Sequence, residues 1–347
     1  MLAVTWARAL IFLAVSAVAS MALALAATGA DSAAQKTTLT VYSGREEKFV
    51  KPLLDRFTRL TKIELKVRYG DSAELAATIG EEGKNSPADV FFSQDAGAIG
   101  AIAQEGRLKV LPAAILNRVP KRFRAAGKRW VGVSGRARVV AYNRDALKPS
   151  QLPQTIWGYT RPAWKGKIGL PPTNSSFQAF VTAMRLSAGN DRTRDWLTAI
   201  KANDAKFYAR NSQVIAAVAS REVEVGFVNH YYLYQLREEQ PNAPVANYFL
   251  TNGDPGALVN VAGAGILTSS KRAKTAERLL AFLLSKEGQN YFANGPGRAE
   301  YPLVAGIKAR AGLPPLSKIQ GPRISFWRLG RELPSTLKLL NEVGYTR

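Results

Sequence analysis

The sequence contains no cysteine and one histidine, His230. Without cysteine there are no disulfides, no thiolate metal sites and no cysteine nucleophile. A single imidazole also rules out a zinc or iron site built from several histidines. Any metal held by this chain must be met by oxygen, a donor set that suits hard cations such as Fe(III), Ca or Mg. There is no G-x-S-x-G elbow, and His230 has no serine at a recognisable spacing, so a secreted hydrolase has no support beyond the histidine itself. Acidic residues are scarce: 26 Asp and Glu stand against 48 Lys and Arg, a net charge of +22. Such a surplus attracts anions and raises nucleic acid as a partner. Yet the cations are scattered along the chain, and the helix–turn–helix, zinc-finger and RRM signatures are missing. A basic extracytoplasmic surface is the simpler reading, with no nucleic acid as partner.

The length of 347 residues and a hydrophobic share of 46% allow two domains or one large one. Residues 1–34 read as an export signal, with Arg8 as the positive region, an apolar run from Ala9 to Ala27, and cleavage after Ala26 or Ala34. A lipobox needs cysteine, so the mature protein is expected to be soluble and exported. Beyond the signal no segment is long and apolar enough to span a bilayer. Residues 39–43 alternate as a strand, 46–60 carry apolar residues at helical spacing, and 63–69 alternate again. This β-α-β unit predicts a parallel sheet. A helix over 72–83 and an apolar buried strand over 87–93 follow, and that strand ends in Gln94 and Asp95, where open α/β sheets place ligands. The run 130–142 reads as a long strand with Arg136 and Arg138 on one face. A strand ending at Leu170 leads into a turn with Asn174, Ser175 and Ser176 before a helix over 178–188, an arrangement that is either a plain N-cap or an anion site. Asn211 lies at another strand-to-helix junction, and residues 254–267 read as a second long strand.

The stretch FVNHYYLY at 227–234 ends a strand and starts a helix. Paired Tyr231 and Tyr232 are either core aromatics or two hard oxygen ligands, because a trivalent cation can displace the phenol proton.

Seven stretches decide between these readings: VYSGR at 41–45, PADVFF at 87–92, SGRAR at 134–138, WKGKI at 164–168, NHYYLY at 229–234, DPGAL at 254–258 and RAEYP at 298–302. In this order the chain resembles the bacterial periplasmic ferric-iron-binding proteins, the solute receptors of Fe(III) ABC importers. The resemblance implies a two-lobed α/β periplasmic binding protein fold of type II, each lobe a mixed, mostly parallel sheet flanked by helices, with two crossover strands as the hinge. It implies lobes over 38–136 plus 260–311 and over 137–259 plus 312–347. It implies Tyr231 and Tyr232 as phenolate ligands. Glu46 stands where well-known members carry a histidine and Gln94 where they carry a glutamate, with Glu47 and Asp95 as neighbouring carboxylates. Asn174, Ser175, Ser176, Asn211, Asn229 and Asp95 would hold a synergistic anion, phosphate or carbonate. Arg136, Arg138 and Arg298 would screen the phenolates or anchor the crossover. A periplasmic monomer that hands Fe(III) to an inner-membrane ABC permease is expected. A receptor for a small anionic or organic solute, such as phosphonate or polyamine, without metal is the alternative.

Overall fold

The computed structural model describes residues 37–346; the expected export signal lies outside them. The chain opens with β1 (Thr38–Ser43), α1 (Glu47–Thr61), β2 (Glu64–Tyr69), α2 (Ser72–Glu82), β3 (Val90–Ser93), α3 (Ala96–Gln104) and the single turn α4 (Ala113–Leu116). There follow β4 (Val131–Asn143), β5 (Ile168–Leu170), α5 (Ser175–Ala188), α6 (Asn190–Ala202), β6 (Lys206–Phe207), α7 (Asn211–Ala219), β7 (Val225–Asn229), α8 (Tyr232–Glu239), β8 (Val245–Tyr248) and β9 (Val259–Ile266). The chain ends with α9 (Ala273–Leu283), α10 (Lys286–Asn294), β10 (Tyr301–Pro302), α11 (Phe326–Arg331) and α12 (Leu333–Glu342).

Strand order is β2-β1-β3-β9-β4-β7-β5-β6, with β8 and β10 paired to β4. β1 runs parallel to β2 and β3, and β7 runs parallel to β5. β9 is antiparallel to both β3 and β4. The hinge expected from the sequence has its counterpart in β4. Its 13 residues are all buried. The first part, through Ala137, pairs with β9, and from Arg138 onward it pairs with β7 and β8. The Arg138 amide still donates to the Leu258 carbonyl just before β9. One strand therefore serves two sheets, and the change of partner falls between two buried arginines.

Local chemistry explains the elements that carry the site. α1 buries Phe49, Val50, Leu53, Leu54 and Phe57 along one stripe, has Glu47 in its first turn and ends at Lys62 in the left-handed conformation. Gly44 precedes it for a steric reason: a Cβ there would lie 1.7 Å from Ser72 Oγ and 3.0 Å from Ser72 Cα. The β1–α1 loop thus packs directly on the start of α2. Two main apolar clusters fill the interior. One gathers Phe49, Phe57, Phe91, Phe92 and Val131; the other gathers Trp164, Phe177, Phe180, Trp196 and Phe227.

α6 and β8 are elements the sequence reading passed over. α6 is amphipathic, with Thr193, Trp196, Leu197 and Ile200 buried, but it follows α5 after one glycine and reads as its continuation. α5 begins three residues earlier than expected, because Asn174 acts as its cap and Ser175 and Ser176 after it are already helical. Among the described residues no helix is long and apolar enough to cross a membrane.

Candidate metal and anion site

Glu46, Gln94, Asn174, Asn211 and the tyrosine pair lie after the carboxyl ends of β1, β3, β5, β6 and β7, while Arg136 and Arg138 lie within β4 and Arg298 precedes β10. β1 and β3 run one way and β5, β6 and β7 the other, so the carboxyl ends of the two sets face each other where β4 changes partner, and loops remote in sequence meet there.

β7 ends at Asn229, and the chain turns into α8 through His230 and Tyr231. Tyr231 and Tyr232 are 1% and 3% exposed, with rings stacked at 4.4 Å between centroids. Gln94, from the end of β3, donates Nε2 to both hydroxyls, at 3.2 Å to Tyr231 and 2.7 Å to Tyr232. Two phenol oxygens therefore converge on one point, which in this state holds an amide nitrogen. Gln94 also lines a cavity of about 600 Å³ together with Glu46, Glu47, Asp71, Glu74 and Asn174. Neither tyrosine lines this cavity; their hydroxyls are linked to it through Gln94.

Burial pushes the Tyr232 phenol well above its ordinary pKa, with Tyr231 and Glu46 acting in the same direction and Arg45 opposing them. The expected screening by Arg136, Arg138 and Arg298 is thus not what dominates. Arg298 donates to the Lys48 and Phe49 carbonyls and to the Tyr291 hydroxyl, and stacks at 4.2 Å on the Phe49 ring. It ties the start of α1 to the segment before β10. Arg136 is fully buried and acts on Glu300, whose carboxyl it helps to hold low against the opposing effect of burial. Arg138 remains beside the pair: burial lowers its pKa to about 9 while Tyr232 and Tyr231 pull the other way. It donates to the Phe227 carbonyl and, at 3.4 Å, to Ser176 Oγ.

Sequence reasoning missed Arg45 and Glu300. Arg45 is 3% exposed, donates to Glu300 Oε1 at 2.8 Å and lies 5.7 Å from the Tyr231 ring centroid. Both residues stand inside stretches that carried the family resemblance, VYSGR and RAEYP. The signal was there, but it was attached to neighbours. His230 is excluded as a ligand. Its Nδ1 accepts from the Ala137 amide at 3.1 Å, so Nε2 carries the proton and donates to the Ala299 carbonyl at 2.7 Å. Burial lowers its pKa to about 4.

Asn174, Ser176 and Asn211 form one hydrogen-bonded group. Asn174 caps α5, and its Oδ1 accepts from Ser176 Oγ at 2.7 Å and from Asn211 Nδ2 at 2.9 Å. Ser175 Oγ, Asn211 Oδ1 and Asn229 Nδ2 are buried without a protein partner. The Ser175 hydroxyl and Asn229 Nδ2 are unspent donors that fit a small oxyanion at this helix N-terminus, whereas Asn211 Oδ1 can only accept. Asp95 caps α3, its Oδ1 accepting from the Gly97 and Ala98 amides, while its Oδ2 is buried without a protein partner. Glu46 is half-buried, accepts from Ser212 Oγ at 3.2 Å and touches neither tyrosine. Among the described residues no group of three or more His, Asp or Glu could hold a metal, so a cation here depends on phenol, amide and anion oxygens.

Residues 85–318 match the family of bacterial extracellular solute-binding proteins. The chain belongs to that family. Within it, the chain is 36% identical over 313 residues to the major ferric iron-binding protein of Neisseria meningitidis, covering 88% of this chain and 92% of the relative. It is 31% identical over 320 residues to the Fe(3+)-binding periplasmic protein of Serratia marcescens, covering 92% and 94%. Among solved structures, iron-bound HitA from Pseudomonas aeruginosa superposes with a TM-score of 0.84 at 34% identity, covering 89% of this chain and 99% of that one. The fold expected from the sequence, a two-lobed α/β binding protein, is the fold found.

Proposed function

We propose that this chain is a ferric-ion receptor: it captures Fe(III) between two lobes and delivers it to an inner-membrane ABC permease. The observation that carries the reading is the convergence of the Tyr231 and Tyr232 hydroxyls on one hydrogen-bond donor. A donor that satisfies two phenols at once occupies a place a cation can take, provided the phenols ionise. Gln94 would then turn its amide to present Oε1, since the two ends of the group are close in shape and opposite in polarity. Two phenolates reduce a trivalent ion to a net charge of about +1, which Glu46 or a bound phosphate or carbonate at Asn174, Ser175, Ser176, Asn211 and Asn229 neutralises. Arg45, paired to Glu300 beside Tyr231, would favour the phenolates by its charge.

The chain would act as an exported periplasmic monomer without catalytic activity. Its lobes would comprise 38–136 with 260–311 and 137–259 with 312–347, and β4 and β9 would flex between them. A metal-free receptor for a small anionic or organic solute, such as phosphonate or polyamine, is disfavoured by the relatives, which are ferric iron-binding proteins.

Equilibrium dialysis of radioactive ferric ion against a competing chelator tests the reading. One ion per chain is expected, with binding abolished when both tyrosines become phenylalanine. Retention by that double variant would overturn it.

A further inference from the structure

The turn proposed for the exogenous anion already has a carboxylate in it. Asp71 follows β2 and caps α2, its Oδ1 accepting from the Ala73 amide at 2.9 Å. Its other oxygen reaches across the cleft, where Oδ2 accepts from Asn174 Nδ2 at 2.9 Å. The Ser175 amide, in the first turn of α5, also favours the charged carboxylate. One side chain thus joins the N-termini of an 11-residue and a 14-residue helix, each of which favours negative charge. In the same turn Ser175 Oγ is buried with no protein partner, so its hydrogen-bonding capacity is not exhausted by Asp71.

The carboxylate is held there at some cost. Burial raises Asp71 to about 6, Asp95 and Glu74 push it the same way, and the Ala73 and Ser175 amides offset only part of this. A charge so placed is exchangeable. A free oxyanion, bound by the same donors and not tied to α2, can take its position when the cleft opens.

We propose that Asp71 is the resident occupant of the α5 turn, a tethered carboxylate that phosphate or carbonate must displace, and that it thereby sets how readily the site accepts an external anion. The proposal rests on the ferric-receptor reading for its purpose, but not for its measurement. An incoming anion replaces Asp71 at α5 but not at α2, so displacement is resisted by the strained or lost Ala73 cap as well as by the repulsion between two anions.

The test uses the full-length mature protein free of metal, with radioactive inorganic phosphate in equilibrium dialysis at neutral pH. Asp71→Asn keeps two acceptor or donor positions for the caps but removes the charge; Asp71→Ala removes both. Glu74→Gln removes the same charge from the same cavity without touching the turn. Phosphate affinity is expected to rise at least tenfold in Asp71→Ala, by a smaller factor in Asp71→Asn, and by less than threefold in Glu74→Gln. Unchanged phosphate affinity in both Asp71 variants would overturn the proposal, and so would an equal gain in Glu74→Gln, which would reduce the effect to bulk charge. Folding of each variant is read from its urea transition. The ferric dialysis of the unaltered protein decides the parent reading separately: a phosphate gain without any ferric binding would sustain the role of Asp71 and remove the metal from the site.

Discussion

Loading a ferric ion onto two phenols must release protons, and their number follows from the site. Ionising one ordinary phenol at pH 7 costs about 4 kcal/mol, because its pKa lies near 10 and each unit is worth about 1.4 kcal/mol. Tyr232 costs more, since burial, Tyr231 and Glu46 all raise it and Arg45 opposes them only in part. The metal has to offset this, and each phenolate formed then gives up one proton. With two released, apparent affinity rises about a hundredfold per pH unit, or about 2.7 kcal/mol. Calorimetry of ferric loading from a chelate, in two buffers of different ionisation enthalpy and corrected for the protons of the chelator, counts them directly. About two protons per iron are expected for the unaltered protein and about one for Tyr232→Phe. A count near zero, or a count that Tyr232→Phe leaves unchanged, refutes ligation by the pair.

Three further outcomes follow from the same geometry. His230 is held neutral by burial, with its pKa lowered from 6.5 to about 4, so the unfolded chain binds the extra proton in that window. Stability from this group is present above pH 6.5 and lost by about 3 kcal/mol as pH falls to 4. Asp71, raised to about 6, acts in the opposite sense, so His230→Gln must be compared with the unaltered protein at each pH by urea unfolding. The gap between them should narrow by about 3 kcal/mol from pH 7 to 4; a constant gap would contradict a neutral imidazole. Arg45→Ala leaves Glu300 buried without its ion partner and is expected to cost about 3–5 kcal/mol, with Glu300→Gln restoring part of the loss. Gly44→Ala drives a Cβ into Ser72 at a cost of about 1–3 kcal/mol. It also weakens ferric binding, since Ser72 Oγ accepts from the backbone N–H of Gln94 at 2.8 Å; unchanged urea midpoint and affinity would show that the loop yields freely.

Much of this architecture was legible in the sequence, and the reasons are particular. The β-α-β opening, the apolar strand before Gln94 and the long strands around Arg136 and Asn260 announce themselves by periodicity and by runs that only a buried strand tolerates. The tyrosine pair drew attention through company: alone it reads as core, and beside six other stretches it reads as a site. What could not be read was direction. Nothing in VYSGR tells that Arg45 turns inward to Glu300, 255 residues later, while Glu46 turns toward Ser212. Nothing around Asp71 tells that it spans the cleft, because its local role as the cap of α2 already accounts for an aspartate there. The arginines show the same limit. Arg136 and Arg138 stand two residues apart on β4, yet one serves Glu300 and the other lies beside the tyrosine pair, since β4 changes sheets between them. Long-range pairing fixed these roles, and a motif records it only when both partners are already known.

Direct ligation by phenolate oxygen is the claim on which the account stands, and its most direct test is the visible absorption spectrum of the ferric-loaded protein. A phenolate bound to Fe(III) gives a charge-transfer band that colours the solution red to purple. The band should weaken and shift in Tyr231→Phe and in Tyr232→Phe, and vanish in the double variant. A protein that binds one ferric ion per chain and stays colourless would contradict it.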